Sequence, residues 1–331
     1  MIEPLHIINA FETAIRGSER AALAIARLLA PHCRVIVWST VPPSPAVRSL
    51  AGEFGTIIRE IRPFGGAFPK GGTLLFWGTH YRLGVWLPAS DARATAVLSE
   101  TFVYGSLYRH VLQIRAARLP EPSIIYVSDL LKRSAQLPGG VLYPLPDMRP
   151  FLALERVPGL RPFTVGRVSR DTPEKHHADD PALYATLAAA GIHIRILGGA
   201  CLAARMAPHP LIELLPQGSV PVTEFLSTID AFVYRTGFGN GYVEPSGVAF
   251  AEAMAAGLPV VCGRPGGYED LVDHGRTGFV ADTQAQARDL VLALRDTPAL
   301  ATRIGAAARA SVAAYFGPDY ADRFLALLWP V

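Results

Sequence analysis

The stretch FTVGRVSRDTPEKHHADDPALYATLAAAGIHIRILGG (163–199) decides the fold. It opens on an apolar, β-branched run (163–168), continues as an alanine- and leucine-rich segment at helical spacing (180–191), and closes on a second apolar run (193–199). Strand, helix and strand in that order form a βαβ unit, whose crossover makes the two strands parallel. Near-continuous apolar strands also fit burial on both faces, because an exposed face would demand alternation.

The same alternation runs outward in both directions. Downstream, LIELLP (211–216), DAFVYRT (230–236) and LPVVCG (258–263) read as strands, with PVTEFLSTI (221–229) and SGVAFAEAMAAG (246–257) as helices. Three helices follow at 283–296, 298–316 and 318–329. Upstream, strands are expected at 5–9, 34–39, 55–61, 73–78, 95–99 and 123–128, and helices at 18–30, 45–54, 104–119 and 129–136. A proline-rich stretch without period (141–163) separates the two series. The expected architecture is α/β, with two Rossmann-like, doubly wound parallel-sheet domains facing a cleft. Residues 1–146 form the first domain, joined by the C-terminal helix 317–331; 147–160 are a linker, and 161–316 form the second domain.

Composition sets the bounds. The chain has 331 residues, room for two domains of about 150 each. Half of it is hydrophobic and 18% is charged, which excludes disorder for most of its length. A net charge of +3 is too small to argue for nucleic acid. The most apolar stretches are interrupted by Arg27 and Glu252 and fall short of a spanning helix. The first residues lack a basic segment leading into an apolar one, so no secretory signal is expected. Cys33, Cys201 and Cys262 are odd in number and far apart, which suits a reducing cytoplasm better than a disulfide framework.

Ligands in such sheets bind beyond the C-terminal ends of strands, so those loops carry the candidates. EPSGVAFAE (244–252) places Glu244 and Glu252 with seven residues between them. Pro245 reads as the first helical residue, which would open a helix near Ser246 and Gly247 and aim the amides of Ser246, Gly247 and Val248 at an anion. Two carboxylates spaced by roughly 12 Å of helix suit hydroxyl groups at two ends of an extended ligand. Glu252 lies in an otherwise apolar helix, where an unpartnered carboxylate is costly. Glycines 237, 239 and 241 lie just upstream. VGRVSRDTPEKH (165–176) places Gly166 and Arg167 after a strand, with Lys175 eight residues on; the pair reads as a diphosphate clamp or as a solvated basic loop. Gly17, with Ser18 as N-cap, opens a second candidate helix terminus. The glycine-rich dinucleotide fingerprint, the P-loop, HExxH and CxxC patterns are all missing.

These pieces together resemble the C-terminal domain of the retaining GT-B glycosyltransferases of family GT4, the glycosyl transferases group 1. VGRVSRDTPEKH, RILGG, VYRTGFGNGYVEPSGVAFAEAMAAGLPVV and GGYEDLVDHGRTGFVAD occur in the family's order. The resemblance implies a GT-B enzyme of hexosyltransferase type that moves a sugar from a UDP- or GDP-linked donor, with retention, to a saccharide or lipid-linked acceptor in cell-surface polysaccharide or glycolipid synthesis. It implies Arg167, Lys175 and Glu244 as catalytic residues, Glu252 for the ribose, and Gly166, Pro245, Ser246, Gly247 and Val248 around the donor. No metal and no cofactor beyond the donor are expected. On the acceptor side, Glu100 stands where the family often has histidine, with His80 as the alternative that faces the cleft and Gly17 nearby.

Residues 1–150 hold 16 basic and 10 acidic residues, the remainder 15 and 18. Arg109, His110, Arg115 and Arg118 lie on a stretch of amphipathic spacing, with Trp77, Tyr81 and Trp86 near in sequence. That reads either as a surface for an anionic, lipid-linked acceptor or the inner membrane face, or as a solvated helix over core aromatics. Two further functions stay open: a non-catalytic GT-B subunit that binds a partner, and a nucleotide-sugar epimerase on the same fold.

Overall fold

The computed structural model describes residues 3–12, 17–143, 147–155, 162–236 and 242–329. The chain divides into two compact units, Met1–Asp147 with Pro318–Val331 and Met148–Gly317.

Unit 1 is built on β1 (Leu5–Asn9), β2 (Val35–Ser39), β3 (Ile58–Glu60), β4 (Thr73–Trp77), β5 (Ala94–Ser99), β6 (Ser123–Tyr126) and β7 (Gly140–Val141). They pair in the order β3-β2-β1-β4-β5-β6-β7, every pair parallel. Between them run α1 (Gly17–Leu29), α2 (Pro45–Glu53), α3 (Tyr104–Ala116) and α4 (Asp129–Ala135). Capping fixes their starts: Ser44 Oγ accepts from the Val47 amide at 3.3 Å and Ser128 Oγ from the Leu131 amide at 3.2 Å. The last helix, α11 (Tyr320–Leu328), belongs to this unit. Phe324 stacks on Trp77 with centroids 6.4 Å apart, and Trp329 Nε1 donates to Thr73 Oγ1 at 2.7 Å. Trp77, Tyr81 and Trp86 are all buried, so the aromatic surface considered from sequence is core.

Unit 2 opens with α5 (Arg149–Leu152), inside the stretch expected as a linker. Pro150, pre-set for a first helical turn, starts it; Phe151 is buried, and the Leu154 carbonyl accepts from Arg309 Nη2 at 2.6 Å. The sheet comprises β8 (Thr164–Val168), β9 (His193–Leu197), β10 (Ile212–Leu215), β11 (Ala231–Tyr234), β12 (Val260–Gly263) and β13 (Phe279–Ala281), ordered β10-β9-β8-β11-β12-β13 and all parallel. Its helices are α6 (Asp180–Ala189), α7 (Val222–Ser227), α8 (Val248–Ala255), α9 (Gln284–Asp296) and α10 (Pro298–Tyr315). Leu183 and Leu187 of α6 pack with Ile194 and Ile196 of β9 and Val291 and Leu294 of α9 in one core. Each such side chain contributes roughly 1.5–3 kcal/mol on full burial. Among the described residues no helix is long and apolar enough to cross a membrane.

Candidate functional site

In unit 2 the polar groups gather where β8 and β11 end. The sequence placed Gly166 and Arg167 after a strand; both lie within β8. A Cβ on Gly166 would come within 2.5 Å of Ile229 Cδ1 and 3.1 Å of Phe225, so this glycine lets α7 and the turn after it pack on the sheet. Arg167 is fully buried. Its Nη1 lies 3.0 Å from the Arg235 carbonyl and 3.5 Å from Asp180 Oδ2, its Nη2 donates to the Lys175 carbonyl, and its guanidinium covers the Tyr234 ring at 4.1 Å. Arg235, also buried, approaches the other oxygen of Asp180 at 3.4 Å and His177 Nδ1 at 3.2 Å. Arginine does not deprotonate in a protein, so two guanidiniums share one carboxylate and leave a buried positive surplus. Such a surplus, fixed by folding, favours an anion at the strand ends without further reorganisation.

Lys175 closes the loop that Arg167 holds by its carbonyl. Its Nζ lies 2.7 Å from Glu244 Oε2, which also accepts from the Tyr234 hydroxyl at 2.8 Å, and it bonds the Tyr242 hydroxyl. The Glu244 carbonyl receives the Gly267 amide at 2.8 Å, which fixes the backbone beneath the carboxylate. Burial pushes the Glu244 carboxyl up, but the Lys175 charge and the hydrogen bonds from Lys175 and Tyr234 prevail and hold it below its ordinary value. Burial likewise lowers the Lys175 ammonium, which Glu244 only partly offsets.

Pro245 does not begin the helix. Gly247 is its N-cap at φ +78°, and α8 starts at Val248. Glycine is required there twice over, since a Cβ would also meet Tyr268 Cβ at 2.8 Å. The left-handed turn breaks the helix that Pro245 and Ser246 would otherwise enter, and both sit half-buried ahead of it. The first-turn amides without an intrahelical acceptor are those of Val248 and Ala249, while Phe250 and Ala251 bond back to the Gly247 carbonyl. Glu252, half-buried on α8, lies one turn further along. Glycines 237, 239 and 241 lie outside the described residues.

A second cluster forms in unit 1, beyond the ends of β1, β4 and β5. Ser18 Oγ, in the first turn of α1, donates to Glu100 Oε1 at 2.7 Å, and Asn9 Nδ2 lies 3.4 Å from the same hydroxyl. His80 Nδ1 stands 4.0 Å from that carboxylate oxygen, its ring edge-on to Tyr81. The structure thus gathers Ser18, His80 and Glu100 in one place, with Gly17 exposed beside Ser18. On α3, His110 is buried and Arg115 is held by Glu121 at 2.6 and 2.9 Å, which leaves Arg109 as that helix's main exposed cation.

Asp180, Arg235 and Tyr234 were not anticipated. Asp180 reads in sequence as a helix-start residue, and Arg235 as the polar end of a strand. The available signal was a charge directly following the apolar run AFVY. Among the described residues no group of three or more His, Cys, Asp or Glu is gathered as a metal site.

Residues 210–311 match the family model described as glycosyl transferases group 1. A GDP-mannose-dependent alpha-(1-6)-phosphatidylinositol monomannoside mannosyltransferase of Mycobacterium tuberculosis is 37% identical over 102 residues, 30% of this chain and 26% of the relative. A D-inositol 3-phosphate glycosyltransferase of Streptomyces scabiei is 43% identical over 122 residues, 36% of this chain and 26% of the relative. The chain thus spans about a quarter of each of these relatives. Along its whole length it shares the fold of Anabaena HepE solved with UDP and glucose, with a TM-score of 0.73, 14% identity and 98% of each chain covered. It shares that of WaaG, a glycosyltransferase involved in lipopolysaccharide biosynthesis, with a TM-score of 0.63, 13% identity, and 99% and 100% covered. Residues 210–311 thus resemble the glycosyl transferases group 1, and the chain's two parallel sheets share the two-domain GT-B fold of these solved structures.

Proposed function

We propose that the chain transfers a hexosyl group from a nucleoside diphosphate sugar to a hydroxyl of a saccharide or lipid-linked acceptor, with retained anomeric configuration and without a metal. The carrying observation is the buried Lys175–Glu244 pair, at 2.7 Å, beside the amino end of α8 and in front of the Arg167–Asp180–Arg235 surplus. The diphosphate displaces part of the Lys175–Glu244 contact. Lys175 meets the phosphates, the amides at the start of α8 meet the same anion, and Glu244 accepts from the sugar hydroxyls. Glu252 accepts from the ribose. Breaking the bond from C1 to the phosphate oxygen places negative charge on the leaving group, the largest electrostatic change in the reaction, and fixed cations stabilise it. The sugar passes through an oxocarbenium-like state. The acceptor oxygen attacks the face the phosphate leaves, and the departing phosphate oxygen takes its proton.

In unit 1, Ser18, Glu100 and His80 offer both donors and acceptors for that acceptor hydroxyl. The exposed α3 surface, with Tyr108 and Leu112 beside Arg109, supports peripheral contact with anionic lipid from a cytoplasmic location. Calorimetric titration with UDP and GDP tests the donor reading. One of them is expected to bind, and Glu252→Ala to weaken it about tenfold; failure of both nucleotides to bind overturns the proposal.

A further inference from the structure

We infer that Tyr268 is a positioning residue for the sugar transfer: acting through Thr236, its buried hydroxyl sets the backbone of Glu244 and so the place of the carboxylate that receives the donor's sugar. The inference rests on the donor reading above and adds to it a residue buried beneath the site.

Tyr268 lies on a short 3-10 turn (Gly267–Leu271) past the end of β12 and is fully buried. Its hydroxyl reaches back to the end of β11. There it accepts from the Thr236 amide at 3.3 Å and bonds the Thr236 hydroxyl at 3.2 Å. Thr236 Oγ1 in turn accepts from the Glu244 amide at 3.4 Å. Thr236 is fully buried as well, and unpartnered polar groups are costly in such surroundings, so the three groups hold one another in place.

The same residue is served by two further routes. The Tyr268 ring stands edge-on to Tyr234, with centroids 5.4 Å apart, and the Tyr234 hydroxyl donates to Glu244 Oε2 at 2.8 Å. The Gly267 amide, next in the chain, donates to the Glu244 carbonyl at 2.8 Å. Amide, carbonyl and carboxylate of Glu244 are thus each held by a group that touches Tyr268 or adjoins it. Two glycines make room for the phenol. A Cβ on Gly247 would meet Tyr268 Cβ at 2.8 Å, and one on Gly266 would collide with the ring, 2.6 Å from its oxygen. Gly266 is extended at φ −172°, so the phenol, and not the backbone, is what excludes a side chain there.

A carboxylate that must hold the sugar while its C1 parts from the phosphate is sensitive to small displacements. Loss of the Tyr268 hydroxyl releases the Glu244 amide while the ring still supports Gly247 and the start of α8. The effect should therefore fall on turnover and spare the diphosphate.

The test is turnover of the accepted donor and titration with UDP and GDP for wild type, Tyr268→Phe, Thr236→Val and the double variant, with a melting temperature for each. Tyr268→Phe keeps the ring and is expected to lower kcat about tenfold, with nucleoside diphosphate affinity within about twofold of wild type. Thr236→Val cuts the same tie at its middle and should match it. The double variant should be no slower than either single one, whereas two residues that merely fill the core would lose stability and rate additively. Either single variant carries the split between kcat and affinity by itself, should the other not fold. Wild-type kcat in the single variants overturns the inference, as do losses that add in the double variant or a diphosphate affinity that falls in step with kcat. Wild type that releases no nucleoside diphosphate from any donor overturns the donor reading itself, and the inference with it.

Discussion

The two sheets share a strand order and differ at their ends. In each, the first strand of the unit lies inside the sheet with the second and third on one side and the fourth and later strands on the other. Both are buried on two faces and built from short apolar strands. At the strand ends and in the loops past them, unit 2 holds a buried ionic network of Arg167, Arg235, Asp180, Lys175 and Glu244. Unit 1 holds a part-buried hydroxyl, a carboxylate and an imidazole, Ser18, Glu100 and His80. On the proposed function, one scaffold serves two kinds of recognition. A surplus of fixed positive charge suits a diphosphate, and a small set of donors and acceptors suits a neutral hydroxyl.

The largest expected effect breaks the ionic half of that comparison. Asp180→Ala leaves two buried guanidiniums facing each other and should destabilise unit 2 by about 3–5 kcal/mol. Urea unfolding should then show a separate, earlier transition, and a single unshifted transition would contradict the network's role. Next, Lys175→Met should lower kcat by about 100-fold, since it removes a cation from the leaving phosphate, and raise the Glu244 carboxyl. Steady-state kinetics with the accepted donor measure this.

Acid sharpens the contrast. Burial first, aided by the charges of Arg34 and Arg59, lowers the His6 imidazole to about 4 against a hydrogen bond with the Lys70 carbonyl; burial, with Arg109 and His80, lowers His110 to about 4. Their folded values lie below the unfolded 6.5. The stability they contribute is therefore complete above pH 6.5 and drains away as the pH falls toward 4. In unit 2, His176, lowered to about 3, acts in the same sense over a wider span. Glu244, depressed from 4.5, holds its contribution above that value and loses it only as the pH falls through its own lower one. Unfolding free energies between pH 7 and 4 should fall, and His6→Gln, which cannot titrate, should flatten the slope; an unchanged slope would falsify this assignment. The smallest effect is expected from Ser18→Ala. It removes one donor to Glu100, worth about 1 kcal/mol, and should raise the acceptor KM several-fold while nucleotide affinity stays unchanged.

The layout of the sheets was legible because strand burial on two faces writes itself as unbroken apolar runs: 5–9, 73–77 and 231–234 needed no tertiary information. Glu244 was legible from its spacing to Glu252 at an expected helix start, and Lys175 from its place in the loop after β8, eight residues beyond Arg167. What spacing could not show is direction. Arg167 sits in a strand whose alternate residues face opposite sides, and only packing reveals that its guanidinium is enclosed by Asp180 and two carbonyls. Nor could it show that Gly247 adopts a left-handed turn, because Pro245 carries the stronger local signal for a helix start. His110 and Arg115 looked like one basic face until the fold buried the first and paired the second.

The central claim is that the ionic end of unit 2 activates a nucleotide sugar. Its most direct measurement is a screen of UDP- and GDP-sugars for nucleoside diphosphate release by wild type and Lys175→Met. Release from one donor by wild type, reduced about 100-fold in the variant, is the predicted result. Equal release by both proteins, or none from any donor with wild type, would contradict it.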